Sequence, residues 1–587
     1  FWLKPYSLVG SAGPRSIARA QHVQVPVIPR PQNSLRLSSR SGVQRMRLLT
    51  CTRTVALTLA CVLLGILASE DADLIVEDAT DPESQQVTEP STAVCGSGSD
   101  EDGTCGSQAE EDVSPEKPQR PPVVPRVRKN SSGRPPHWPY KSGNANRTGV
   151  SQWIAPFKLT RPSWVWDEPD LDDKPFKYQQ VFHSSPILDE DFNTYITSTT
   201  GFMYSINKTG HTRWSFQFSH SHPGNPALLD GVLYVASMDG IAWAIDAETG
   251  TEIWQTRIGI CSTLDSHSAM AVDDTVLFPA TSIEWNPEVH QADGREPFCG
   301  NEELVALSTI DGSEKWRYSI ATRAGTIGYN IAPVIVGKSV LFDDFSGGLF
   351  RLSLEDGKEH YYIPGPLVGI WSTGGMLVGP NNKAYVARNK NASLGANGRD
   401  GFVRCYSVFT GRIVWQRKFD TAMNAGLAMG YVKGHPHRLA VIAAPGNNLA
   451  PNKMPWWGRA LEGIVLWMYS PKSFVYALDA ATGDIIWELE LLEPSLQNAG
   501  QSANYSCFPA VFGAPSLDGD GTVYISWSGG YVLAIRDWDG DGKIDNKDGM
   551  ELSMYKHGWG SNGNVAIGPN YLVVPTCRQI FGFEDTG

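Results

Sequence analysis

The sequence predicts an all-β fold: an eight-bladed β-propeller of four-stranded antiparallel blades, preceded by a disordered amino-terminal tether. Three observations predict it. One stretch, Ala-x-Asp-x-x-Thr-Gly-x-x-x-Trp, returns along the chain, clearest from Ala244 through Asp246, Thr249 and Gly250 to Trp254, and again from Ala477 through Asp479, Thr482 and Gly483 to Trp487. Weaker copies carry their turn glycine at Gly210, Gly312, Gly357, Gly411 and Gly540, and an incomplete one ends at Gly587. The glycines stand roughly 40 to 70 residues apart, the length of one blade with loop insertions, and eight copies mean a repeat architecture. Composition agrees, because 58 glycines and 39 prolines among 587 residues, with 41% hydrophobic residues, suit a turn-rich β body with a substantial core.

From the amino terminus, residues 1–45 contain no Met and are rich in Ser, Arg and Pro, and they read as a non-native or unstructured extension. Residues 46–68 run from basic Met46-Arg47 through Arg53 into the apolar run 55–68, the n-region and h-region of a secretory signal. A signal anchor is the alternative, although about 14 apolar residues fall short of the roughly 20 that span a bilayer. Residues 69–113 are acidic and Ser/Thr-rich, and the following residues to 137 are Pro-rich and locally basic. Neither can bury enough apolar surface to fold, so 69–137 is expected to be a linker.

The propeller is expected to fill residues 138–587. In its second repeat, Gly231 to Ser237 alternates as a strand, Met238-Asp239-Gly240 turns, and a second strand leads into the Asp-x-x-Thr-Gly turn and an outer strand carrying Trp254. Thr and Asp in that turn bond backbone amides, and its Gly permits positive φ. The tryptophans at 214, 254, 316, 415 and 487 are expected to cover the gap to a neighbouring blade. The eighth copy stops at its turn and lacks an outer strand. The segment from Gln152 to Trp166 is expected to supply that strand and close the ring; a truncated chain is the alternative.

The recurring motif resembles the tryptophan-docking motif of the pyrroloquinoline-quinone-like β-propellers, typified by bacterial quinoprotein alcohol dehydrogenases and shared by non-enzymatic relatives. The segment Trp138-Pro139-Tyr140, Gly143, Asn144, Asn146-Arg147-Thr148-Gly149 also resembles the lead-in before such propellers. The resemblance implies two function classes. One is a binding or scaffold module of the secretory pathway. The other is a quinoprotein dehydrogenase for alcohols or sugars, with pyrroloquinoline quinone over the channel, calcium polarising its carbonyl and an Asp taking the substrate proton. The adjacent Cys-Cys pair of alcohol-oxidising members does not occur here, and the family's catalytic Asp and calcium-binding Glu and Asn map onto no motif of this chain. Binding is therefore the preferred expectation, with no quinone site mapped.

The sharpest chemical motif is the loop 537–548. Asp537, Asp539, Asp541, Lys543 (through its carbonyl), Asp545 and Asp548 place oxygen donors at alternating calcium-ligand spacing, and Gly542 gives the bend. The loop resembles those of EF-hands and dockerins, except that Asp rather than Glu ends it and strand-like segments flank it. Structural calcium stiffening the seventh blade is expected, with Gly540 at the repeat's turn position and Ile544 in place of its Trp. A solvated Asp/Gly turn is the plain alternative. The pairs His220/His222 and His435/His437 are each an incomplete zinc set.

A net charge of −13 argues against a nucleic-acid surface. Seven cysteines follow the targeting segment, an odd number that leaves one thiol free or paired outside the chain; Cys95 with Cys105, and Cys261 with Cys299, bracket loops that disulfides would pin. Sequons begin at Asn130, Asn146, Asn207, Asn391 and Asn504. These features suit the secretory lumen or the extracellular space. Three insertions, 281–301, 388–401 and 445–473, interrupt the repeat and are expected to carry individual function, including contact with a protein partner or small ligand. Membrane contact is expected only through an uncleaved 55–68 segment or the apolar 445–473 insertion, for which a lid packed over the blade is the equal alternative.

Overall fold

In the computed structural model the described residues are 133–171, 181–262, 267–282, 301–320, 332–344, 346–365, 374–390, 400–446, 464, 466, 472–493, 499–500, 511–561 and 563–585. They form eight four-stranded antiparallel sheets, the blades of a propeller. Blade 1 comprises β2 (Ile187–Leu188), β3 (Thr194–Ser198), β4 (Phe202–Ile206) and β5 (Thr212–Gln217); blade 2 comprises β6 (Ala227–Leu229), β7 (Val232–Ala236), β8 (Ile241–Asp246) and β9 (Glu252–Arg257). Blade 3 has β10 (Met270–Val272), β11 (Thr275–Ala280), β12 (Glu303–Ser308) and β13 (Glu314–Ser319), and blade 4 has β14 (Val334–Val336), β15 (Ser339–Asp343), β16 (Leu349–Ser353) and β17 (Glu359–Ile363). Blade 5 has β18 (Met376–Val378), β19 (Lys383–Lys390), β20 (Asp400–Ser407) and β21 (Ile413–Phe419), and blade 6 has β22 (Ala428–Val432), β23 (His435–Ala443), β24 (Lys472–Asp479) and β25 (Ile485–Leu492). Blade 7 is β26 (Ser516–Leu517), β27 (Val523–Trp527), β28 (Tyr531–Ile535) and β29 (Leu552–Lys556).

Blade 8 takes β30 (Ala566–Gly568), β31 (Tyr571–Pro575) and β32 (Gln579–Glu584) from the end of the chain and its outer strand, β1 (Trp164–Asp167), from before blade 1. Trp164 pairs with Gly582 and Trp166 with Ile580, the closure expected from the sequence. Just beyond β1, Glu168 is buried and accepts hydrogen bonds from Ser198 Oγ, Thr200 Oγ1 and Tyr204 Oη of blade 1, which fastens the joint. Apolar clusters fill the space between neighbouring sheets, as where Trp254 and Trp316 pack with Phe278, Phe342 and Phe350 across blades 2 to 4.

The recurring motif acts between blades. The indole N–H of Trp214, Trp254, Trp316 and Trp415 donates to a carbonyl in the next blade's turn, at Ala247, Thr309, Leu354 and Ala480 respectively, over 2.9–3.2 Å. Each ring lies over the turn glycine that follows. At Gly250 the backbone has φ +70°, and a Cβ would come within 2.5 Å of the Trp214 ring, so glycine is required twice over. Blade 4 has Tyr361 where blades 1, 2, 3 and 5 have these Trp residues, and its hydroxyl donates to the Val408 carbonyl. Trp487 is fully buried with no partner for its Nε1, because the turn that would receive it is replaced by the acidic loop of blade 7. That loop also moves the outer strand: Ser553 stands opposite Ala534, the docking position, and Ile544 precedes β29 instead of replacing the Trp within it.

Candidate functional site

Antiparallel order places the loops between second and third strands, together with the blade-to-blade connections, on one face of the ring, here called the upper face. The Asp-x-x-Thr-Gly turns lie on the lower face. All three insertions root on the upper face, between β11 and β12, β19 and β20, and β23 and β24, although most of their residues lie outside those described.

Buried polar groups hold the roots. Arg388 forms an ion pair with Asp343 of blade 4 and donates to the Asp344 carbonyl, and Asn389 Oδ1 accepts from the Met423 amide. Ser473 Oγ donates to Glu493, which also accepts from Trp527 Nε1 of blade 7. Burial pushes the Glu493 carboxyl up to about 7 against the opposing pull of those two donors. His222 lies on the upper face with its ring 6.1 Å from that of His183, and His220 bonds Ser221.

The calcium candidates sit on the lower face, in the loop between β28 and β29. The carboxylates of Asp537, Asp539 and Asp541 come within 4.8 Å of one another. Asp537 is fully buried and accepts from the Gly540 and Gly542 amides and from His435 Nε2, so His435 is tied to this loop and not to His437. The far half of the loop is organised differently. Asp545 pairs with Lys547, Asp548 accepts the Met550 amide, and buried Glu551, which the spacing did not single out, accepts from the Asp545 and Asn546 amides. Lys543 bridges to Glu488, which clasps the loop onto blade 6. Three converging carboxylates are the hard-oxygen set that fits a divalent cation, with Asp545 and Asp548 turned to other partners.

The feature that sequence reasoning missed is the course of the lead-in. Residues 138–154 thread the axis and touch the inner part of every blade in chain order. The Trp138 amide bonds Leu188; the Leu228 amide bonds Pro139; Tyr140 Oη donates to the Ala271 carbonyl. The amides of Ile335, Val378, Met429 and Leu517 then donate to the carbonyls of Ala145, Asn146, Thr148 and Gly149, and the Asn570 amide to Ile154. A crosswise girdle supports this segment. Asn564 accepts from Ser142 Oγ and donates to the Ala514 and Pro515 carbonyls, while Asn225 accepts from the Ser185 amide and donates to the His267 carbonyl. The signal in the sequence was the density of turn-forming residues from Ser142 to Gly149, where Ser142, Gly143, Arg147 and Gly149 all have positive φ.

Cys261 and Cys577 each take part in a disulfide whose partner lies outside the described residues, and buried Cys405 is free. Cys299 lies outside the described residues, as do Cys95, Cys105, the targeting segment and the linker. Among the described residues no helix is long and apolar enough to cross a membrane.

Eight sheets closed by an amino-terminal strand and docked by indoles over turn glycines define the class: a tryptophan-docked repeat propeller. The chain is similar to the pyrroloquinoline-quinone-like repeat propellers. Residues 144–417 match the family model described as outer membrane protein assembly factor BamB. Curated relatives include BamB of Burkholderia pseudomallei, 25% identical over 236 residues that cover 37% of this chain and 58% of that protein. Tetrathionate hydrolase of Acidithiobacillus ferrooxidans is 23% identical over 271 residues, 45% of this chain and 47% of that one. The chain thus spans about half the length of the curated relatives it matches. The solved quinohemoprotein alcohol dehydrogenase ADHIIG of Pseudomonas putida HK5 aligns over 76% of this chain and 80% of its own, with TM-score 0.51 and 12% identity, a likeness of fold alone.

Proposed function

We propose that this chain is a secretory-pathway binding or scaffold propeller whose upper face receives a protein partner or small ligand, and whose seventh blade is stiffened by calcium. The observation that carries the binding reading is the shared root of all three insertions on one face, with the roots of 388–401 and 445–473 held by buried polar pairs. Sequence matches to assembly factor BamB support it. Disulfides at Cys261 and Cys577 support an oxidising compartment, as does the signal-like segment 46–68.

The second reading, a quinoprotein dehydrogenase, is favoured by the fold shared with the alcohol dehydrogenase. Titration of the exported chain with pyrroloquinoline quinone and calcium, followed by dye-linked alcohol and sugar oxidation, separates the two. Saturable quinone uptake with dye reduction overturns the scaffold reading. For the loop, calorimetric titration with calcium is expected to give one site that Asp539→Ala removes, and no heat in the native chain would refute it.

A further inference from the structure

The lead-in buries two cations, Lys141 and Arg147, and Arg147 is the deeper of them. The residue is 2% exposed. A guanidinium has five N–H donors. Here Nη1 reaches only Ser268 Oγ, at 3.5 Å, and Nε has no partner. The carboxylate whose field reaches it, Asp343, is engaged by Arg388, and the neighbouring Asp344 carboxylate accepts from Ser346 Oγ and the Gly348 amide. Burial pulls the Arg147 pKa down only to about 10, so it stays a cation at neutral pH. An isolated buried charge is costly, and an opposite charge with hydrogen bonds offsets that cost.

The placement is imposed by the backbone. Arg147 has φ +56°, and its amide closes a turn onto the Asn144 carbonyl. The residue facing the guanidinium is Gly375, where a Cβ would lie 3.5 Å from Nη2 and 3.6 Å from Nη1. A strained backbone thus delivers a charge with spare donors beside a wall that has no side chain.

We propose that the propeller axis binds a compact monovalent anion on the Arg147 guanidinium, either a halide or a carboxylate group. This site does not depend on the partner-binding reading, and its failure would leave that reading untouched. Crystals of the protein soaked in sodium bromide and measured at the bromine edge should show an anomalous peak within hydrogen-bond reach of Arg147 Nε.

In solution, bromide and formate are titrated separately against sulfate at constant ionic strength. The melting temperature of the native chain should rise by about 1.5 °C per tenfold anion excess over Kd, and Arg147→Met should show no such rise. A response to bromide alone assigns an inorganic anion, and a response to formate assigns a carboxylate. Water density alone at Nε, or equal anion dependence in native chain and variant, overturns the proposal. If Arg147→Met fails to fold, the bromide peak in the native crystal decides.

Discussion

Replacing Trp316 and Trp487 separately by Phe isolates what the docking hydrogen bond contributes. Both rings are buried and both variants lose a similar ring volume, so the packing loss is common to the pair. The polar change has opposite sign. At Trp316 the substitution removes a 2.9 Å bond and leaves the Leu354 carbonyl without its indole donor, a loss of about 1–2 kcal/mol. At Trp487 it removes an N–H that is already buried without a partner, a relief of about 1–2 kcal/mol. Trp316→Phe should therefore be less stable than Trp487→Phe by about 2–4 kcal/mol. An unfolding entropy near 2.1 cal/mol/K per residue over about 450 residues makes 1 kcal/mol worth roughly 1 °C, so the two melting temperatures should differ by about 2–4 °C. Differential scanning calorimetry of the two variants beside the native chain measures it. Equal losses would refute the assignment of a directional role to the indole N–H and leave apolar packing as the whole of the docking energy.

Glu168→Ala, which takes the shared acceptor from three hydroxyls at the ring closure, should lower the melting temperature by about 3–5 °C; Glu168→Gln should recover part of that, and an unchanged scan would remove the closure role. Glu493 has a folded pKa near 7, above its unfolded value of 4.5, so its contribution is complete below pH 4.5 and is lost as pH rises to 7. Stability should fall by about 3 kcal/mol across that window from this group, and Glu493→Gln should flatten the profile in urea titrations run at each pH. Among the described sequons, Asn207 sits on an exposed turn with its Oδ1 engaged and its amide nitrogen free, whereas Asn146 lies within the axial segment between buried Arg147 and the inner strand of blade 5. Intact-peptide mass spectrometry of chain secreted from a glycosylating host should find glycan at Asn207 and none at Asn146.

The ring was legible because one constraint repeats. Most blades present a turn glycine to a neighbour's aromatic ring, so the pattern survives even where blade 4 exchanges Trp for Tyr361. Closure was legible as a missing outer strand at one end and a spare Trp-rich segment at the other. The docking register of blade 7 was not, because an inserted loop changes which residue faces Ala534 without changing the local strand pattern. In the acidic loop, spacing put Asp537, Asp539 and Asp541 together, but it could not show that Asp545 would turn to Lys547 or that Glu551 would be buried beside them. Arg147 was hidden for a different reason. Its environment is made by residues from blades 3 to 5, and no local pattern encodes a contact of that sequence separation.

The axial thread and the borrowed outer strand have a consequence for how the ring is made. Ser142 bonds Asn564, 422 positions later, and Trp164 bonds Tyr571, 407 positions later. During vectorial synthesis the thread emerges before any blade that will grip it, and its last partners emerge only at the carboxyl end. Contacts of such high order are slow to form, and until then the inner strands of early blades and the unpaired β1 are open to mispairing. The closing of the ring is therefore a late, all-or-none event that makes the folded body dependent on β1 and blade 8 at once. A nascent chain arrested within blade 7 should remain a substrate for chaperones, however complete its first six blades are.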